Sequence, residues 1–152
     1  MKLARLLAPV LGTAVLAASG GIAMAQPDGP QRLRGMEGRS FAVEVTGLAP
    51  TPIQNCYTFE EDGVWIDDAV RVPGTDIRIP GSWSQNGVGA TTSYSAVLLD
   101  GAISQHGTVT PAKGSGVLQL SATTNIAAGV LGPNAPALTV HSVGSEVEAC
   151  PS

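Results

Sequence analysis

Between Phe41 and Val143 the chain is a succession of short β-prone runs, cut at even intervals by turn signals rich in glycine and proline. Phe41, Val43 and Val45 alternate with Glu44 and Thr46, the two-residue period of a half-buried strand. Further runs are Cys56 to Phe59, Val64 to Asp67, Val70 to Val72, Asp76 to Ile79, Ser82 to Gln85, Thr92 to Leu99, Ala102 to Thr110, Val117 to Thr123 and Leu138 to Val143. Turns are expected at Pro73-Gly74, Pro80-Gly81, Asn86-Gly87, Asp100-Gly101, Pro111 to Gly116 and Gly132-Pro133-Asn134. Only Asn125 to Leu131 has the composition for a helical turn, and it is too short for an amphipathic helix. About eight short strands at such spacing predict an all-β fold, a small antiparallel up-and-down β-barrel, with a β-sandwich as the alternative.

The clearest local signal is Phe59-Glu60-Glu61-Asp62-Gly63-Val64-Trp65, because Asp-Gly tolerates the positive φ angles of a tight hairpin turn. A two-residue loop at Asp62-Gly63 sets Phe59 opposite Ile66. A three-residue loop with a bulge at Gly63 sets it opposite Trp65, and the sequence leaves both registers open. Gly81 to Gly87 echoes Gly101 to Gly107 at four of seven positions. Two copies do not make a solenoid, and strands of equal length in a meander produce the same echo.

Ahead of the β-prone region, Met1 to Ala25 has the layout of a cleavable signal peptide: a cationic start at Lys2 and Arg5, an apolar run from Leu6 to Ala18, and Ala23-Met24-Ala25 before Gln26. The apolar run is shorter than the roughly 20 residues of a membrane span. A periplasmic or secreted location is therefore expected, with no membrane span after cleavage. Residues 26–38 are polar and aperiodic and read as a flexible leader, leaving 39–152 as a single domain. Cleavage removes Lys2 and Arg5 and leaves six basic against twelve acidic residues, a net charge of −6. A negative domain without a clustered basic face is a poor binder of nucleic acid or anionic lipid.

Cys56 and Cys150 are the two cysteines, both past the cleavage site, and in an oxidising compartment they are expected to pair. No residue set carries a recognisable catalytic, cofactor or metal motif. There is no Gly-x-Ser-x-Gly elbow, and Lys113-Gly114-Ser115-Gly116 has the wrong order for a phosphate loop. His106 and His141 lack companions at ligand spacing, and the acids Glu60, Glu61, Asp62, Asp67 and Asp68 lack a calcium-loop pattern. The expectation is a protein that is not an enzyme and holds neither cofactor nor metal.

Gly38-x-x-Phe41, the Phe59…Asp62-Gly63-Val64-Trp65 hairpin, Gly81-x-Trp83 and a C-terminal cysteine after several hairpins together resemble the small lipocalin-like barrels of exported bacterial proteins. Phe41 stands where lipocalins usually place Trp. The resemblance implies an up-and-down barrel whose interior holds one small apolar molecule. Trp65, Trp83 and Tyr94 are the candidate ligand-lining residues on that reading, against a competing role in the core. The other function class is an interaction module of the envelope or cell surface, whose Ser/Thr/Gly-rich strands pair edge to edge with another protein chain.

Overall fold

The structure is a computed structural model and describes residues 35–86 and 90–151. The expected signal peptide, most of the expected leader and Gly87 of the expected Asn86-Gly87 turn lie outside the described residues. Eight strands follow one another in chain order: β1 (Arg39–Thr46), β2 (Ile53–Phe59), β3 (Val64–Arg71), β4 (Arg78–Asn86), β5 (Thr92–Leu98), β6 (Ile103–Pro111), β7 (Leu118–Ile126) and β8 (Leu138–Val147). Each pairs antiparallel with the next, and β8 returns to β1, so the sheet closes into an up-and-down barrel. The barrel expectation holds over the sandwich. Closure satisfies every strand edge with a neighbour, so the sheet has no free edge to offer another chain.

The alternation read from the sequence decides which side chains enter the lumen. Phe41, Val43 and Val45 of β1 are buried while Ala42, Glu44 and Thr46 are exposed, and β7 repeats the pattern with Leu118, Leu120, Ala122, Thr124 and Ile126 inside. The β2–β3 hairpin takes the bulged register: Phe59 pairs with Trp65, Glu60 N donates to Val64 O at 2.8 Å, and Gly63 sits at φ 81°. The echo segments fall on β4 and β6, the two neighbours of β5, as a meander of equal strands requires.

Three local expectations are corrected. Pro80-Gly81 is not a turn, because β4 runs through it, with Pro80 opposite Ile66 and Gly81 opposite Trp65. The register shifts between Ile66 and Arg71, so Pro80 stands beside an irregular stretch of ladder where a missing N–H costs least. A Cβ on Gly81 would strike the Val97 carbonyl and lie 3.2 Å from the Leu98 side chain, so the glycine answers a packing need. Asn125 to Leu131 forms no helix: Asn125 and Ile126 end β7, and the rest opens a loop closed on itself by Gly129 N donating to Ala135 O at 2.9 Å. The last residues of the expected leader also belong to the barrel, since Met36 is 2% exposed in the core and its N–H donates to Gln85 Oε1 at 3.0 Å.

Cys56 and Cys150 form a disulfide. Cys56 is on the outer side of β2, and the chain after β8 doubles back over it, where Arg78 Nη2 donates to Pro151 O at 3.2 Å.

Candidate binding surfaces

The sequence singled out Trp65, Trp83 and Tyr94, and the structure places them in the aromatic packing of the lumen. Trp65 is 0% and Tyr94 2% exposed, while Trp83 is half-buried with its Nε1 donating to Glu60 O at 3.1 Å. Phe59 is the hub, meeting Phe41, Trp83 and Tyr94 edge-on at centroid distances of 5.9, 5.3 and 5.0 Å. Tyr57 meets Trp65 in the same way at 5.8 Å. Each such pair contributes about 0.5–1.5 kcal/mol beyond its buried area. Tyr94 fits only because Gly107 faces it, since a Cβ there would come within 2.5 Å of the ring. An eight-stranded barrel has an interior that side chains can fill, and here six large side chains (Trp65, Tyr57, Tyr94, Phe41, Phe59 and Met36) occupy it.

Threaded through these rings is a polar network that the sequence reading missed. Tyr94 Oη donates to Gln105 Oε1 at 2.6 Å, Gln105 Nε2 donates to Thr124 Oγ1 at 2.8 Å, and Tyr57 Oη is hydrogen-bonded to Ser142 Oγ at 2.8 Å. The signal that would have found it is phase: Gln105 lies between Ile103 and Val109 on the inward side of β6. Burial, with a smaller push from Asp67, raises the Tyr57 phenol to about 12. The Tyr94 phenol is raised further by burial, with the Tyr57 and Asp67 charges acting in the same direction.

The acidic residues grouped by sequence are dispersed by the fold. Glu60, Glu61 and Asp62 sit at the hairpin tip, Asp68 pairs with Arg78 at 2.7 Å, and Asp67 turns into the lumen at 6% exposure. Asp67 Oδ1 accepts from Asn55 Nδ2 at 2.7 Å and Ala69 N at 3.0 Å. Burial raises its pKa above the ordinary aspartate value, outweighing those two hydrogen bonds. A raised folded-state value means that the Asp67 contribution is fully present below the unfolded value of about 3.9 and is lost as pH rises through the folded value. Asp67→Asn keeps both acceptor contacts and removes the buried charge. The variant is expected to melt above the parent at pH 7, with the gap closing toward pH 4. Thermal denaturation across that range checks it, and a gap that does not vary with pH contradicts it.

Outside the barrel, the wall from β4 to β8 has an unusual chemistry. From Ile79 to Ser145 the chain holds two charged residues of the Asp, Glu, Lys and Arg classes, Asp100 and Lys113, and both lie in turns. Strand pairing lines up the outward positions as Ser84, Ser95, His106, Thr123, His141 and Thr46 in one row. The next row is Asn86, Ser93, Thr108, Ser121, Val143 and Glu44, where the last residue marks the return of charge. His106 Nδ1 is hydrogen-bonded to Ser95 Oγ at 3.0 Å and His141 Nδ1 to Thr123 Oγ1 at 3.2 Å, which fixes both rings and leaves Nε2 for another group. The two histidines are separated by β7 and so by roughly 10 Å, too far to share one metal ion. No group of metal-holding side chains occurs among the described residues.

A groove of about 430 Å³ crosses this wall, lined by Asn86, Ser93, Ser95, His106, Thr108, Ser121 and Thr123 among others. It offers hydroxyl, amide and imidazole groups and no charge, the chemistry to hold an uncharged, hydrogen-bonding surface.

Comparison with protein-family models, curated proteins and solved structures finds no match to this chain.

Proposed function

We propose that this protein is an exported, non-enzymatic interaction module of the cell envelope or surface, which binds another protein through the uncharged outer wall of β4 to β8. The observation that carries this reading is the wall itself. Solvent-facing protein surface ordinarily holds roughly 25–35% charged residues, and from Ile79 to Ser145 the strands of this wall present none outward, the one charge of β4, Arg78, lying ahead of that stretch and pairing with Asp68. Depletion of charge is the compositional mark of interface cores. Barrel closure removes free strand edges, so a partner meets a sheet face. The Cys56–Cys150 disulfide is compatible with an oxidising compartment, in keeping with the signal peptide read at Met1 to Ala25.

A glutamate in the centre of the groove tests this. His106→Glu, at an exposed position, is expected to leave folding unchanged and to weaken partner capture at least 30-fold, the equivalent of about 2 kcal/mol for an unpaired charge in a desolvated contact. Photo-crosslinking from Ser121 in the exported fraction reads this out. Equal capture by parent and variant would remove the wall from consideration.

A second reading is the one that the lipocalin resemblance implies, a small apolar molecule in the lumen. What favours it is that Trp65 Nε1 and Thr92 Oγ1 are buried without partners among the described residues, so the polar end of an otherwise apolar molecule would pair them. Native mass spectrometry of the exported protein, before and after denaturation, separates the two readings. A small molecule released on denaturation supports the lumen; a bare chain supports the wall.

A further inference from the structure

The antiparallel meander brings the connections β1–β2 (47–52), β3–β4 (72–77), β5–β6 (99–102) and β7–β8 (127–137) to one end of the barrel. Eight large hydrophobic residues are exposed among the described residues, and five of them stand on these four loops: Leu48 at 36%, Val72 at 38%, Ile77 at 63%, Leu99 at 39% and Leu131 at 50%. The charges at this end are largely neutralised in place. Asp76 pairs with Arg71 at 3.4 Å and Asp68 with Arg78 at 2.7 Å, which leaves Asp100 as the other charged residue on the four loops. Among the described residues the opposite end carries Glu37, Glu60, Glu61, Asp62 and Glu148 against Lys113, besides the Arg39–Glu146 pair. The barrel is thus an acidic pole joined to an apolar one.

We propose that the apolar end is a self-association surface, and that two copies of this chain meet end to end through it in a closed two-fold dimer. Charge placement selects this occupant. The mature chain is negative, so most encounters between copies are repulsive. Apposing the two apolar ends sets the acidic poles two barrel lengths apart, roughly 40 Å or more for strands of this length at the usual tilt. That separation far exceeds the Debye length of about 8 Å at physiological salt. A bilayer is the poorer fit, because the four loops hold neither the Trp and Tyr nor the Lys and Arg that anchor a protein at a lipid interface. Three of the four loops also carry proline. Pro50, Pro52, Pro73, Pro133 and Pro136 restrict them, and Ala135 N donates to Gly132 O at 3.0 Å within the longest. Docking therefore sacrifices little conformational freedom. An isologous contact of this kind closes at two copies.

This inference does not rest on the uncharged wall. The test is sedimentation velocity of the oxidised chain 26–152 from about 1 μM to about 1 mM. The expected result is a shift from monomer to dimer and no further. Leu131→Asp and Ile77→Asp, both at exposed sites, should each weaken the dimer at least tenfold with an unchanged melting temperature, while Ser121→Asp on the wall leaves it intact. A monomer throughout, an assembly that passes beyond two copies, or association indifferent to Leu131→Asp and Ile77→Asp would overturn the proposal. Sedimentation of the monomer with phosphatidylcholine vesicles would assign the end to a lipid surface instead. Loss of the dimer with retained partner capture by the wall would leave the interaction module standing.

Discussion

Replacing both cysteines with serine is expected to lower the melting temperature by about 15 °C. The disulfide joins residues 94 positions apart, and a cross-link of that length removes about 4–5 kcal/mol of conformational freedom from the unfolded chain in the entropic account. A domain of this size loses roughly 4 °C per kcal/mol. The bridge also fastens the returning C-terminal segment over the outer side of β2, where Thr58 Oγ1 donates to Cys150 Sγ at 3.3 Å. The serine pair loses that strap together with the cross-link. Calorimetry of the oxidised parent beside the double variant measures the difference. Equal melting temperatures would show that the unfolded chain is already held compact by other means.

Gly144→Ala is expected to cost about 3 kcal/mol or more, at the upper end of the range for overpacking. Gly144 pairs with Val43 across β8 and β1, the seam where the last strand closes on the first. A Cβ there would strike the Ala42 carbonyl and lie 2.7 Å from Val43 Cα, and both are backbone atoms of the partner strand. A flexible side chain can swing away from such a contact, whereas a paired strand can yield only by opening its ladder. The loss should therefore be local as well as global. Amide hydrogen exchange of β1 and β8 is expected to accelerate more than that of β5 and β6, and uniform acceleration would deny the seam its special role. Gly107→Ala makes a useful comparison, since it meets the Tyr94 ring and not a backbone.

Much of the fold was legible because a barrel wall imposes a two-residue period on each strand. Phe41, Val43 and Val45 announce β1, and the Asp62-Gly63 turn announces the first long hairpin. The disulfide followed from parity and compartment. Pro80-Gly81 misled, because the same dipeptide serves as a turn or as an irregular strand position, and only the neighbours across the ladder distinguish the two. Trp65 and Tyr94 were legible as large aromatic rings, but whether such a ring packs a filled lumen or lines an open one depends on Phe59, Met36 and Gly107, none adjacent in sequence to either.

The residues alone determined the strand period, the all-β class, the net charge and the one available disulfide, because each is a local or compositional property. Strand-to-strand register around the barrel decided the rest. It aligned His106 with His141 across β7 on an uncharged wall, gathered Leu48, Ile77 and Leu131 at one pole, and drew Gln105, Thr124 and Ser142 into one buried network. Those juxtapositions join residues tens of positions apart, so strand register and barrel geometry, not local preference, set which side chains meet.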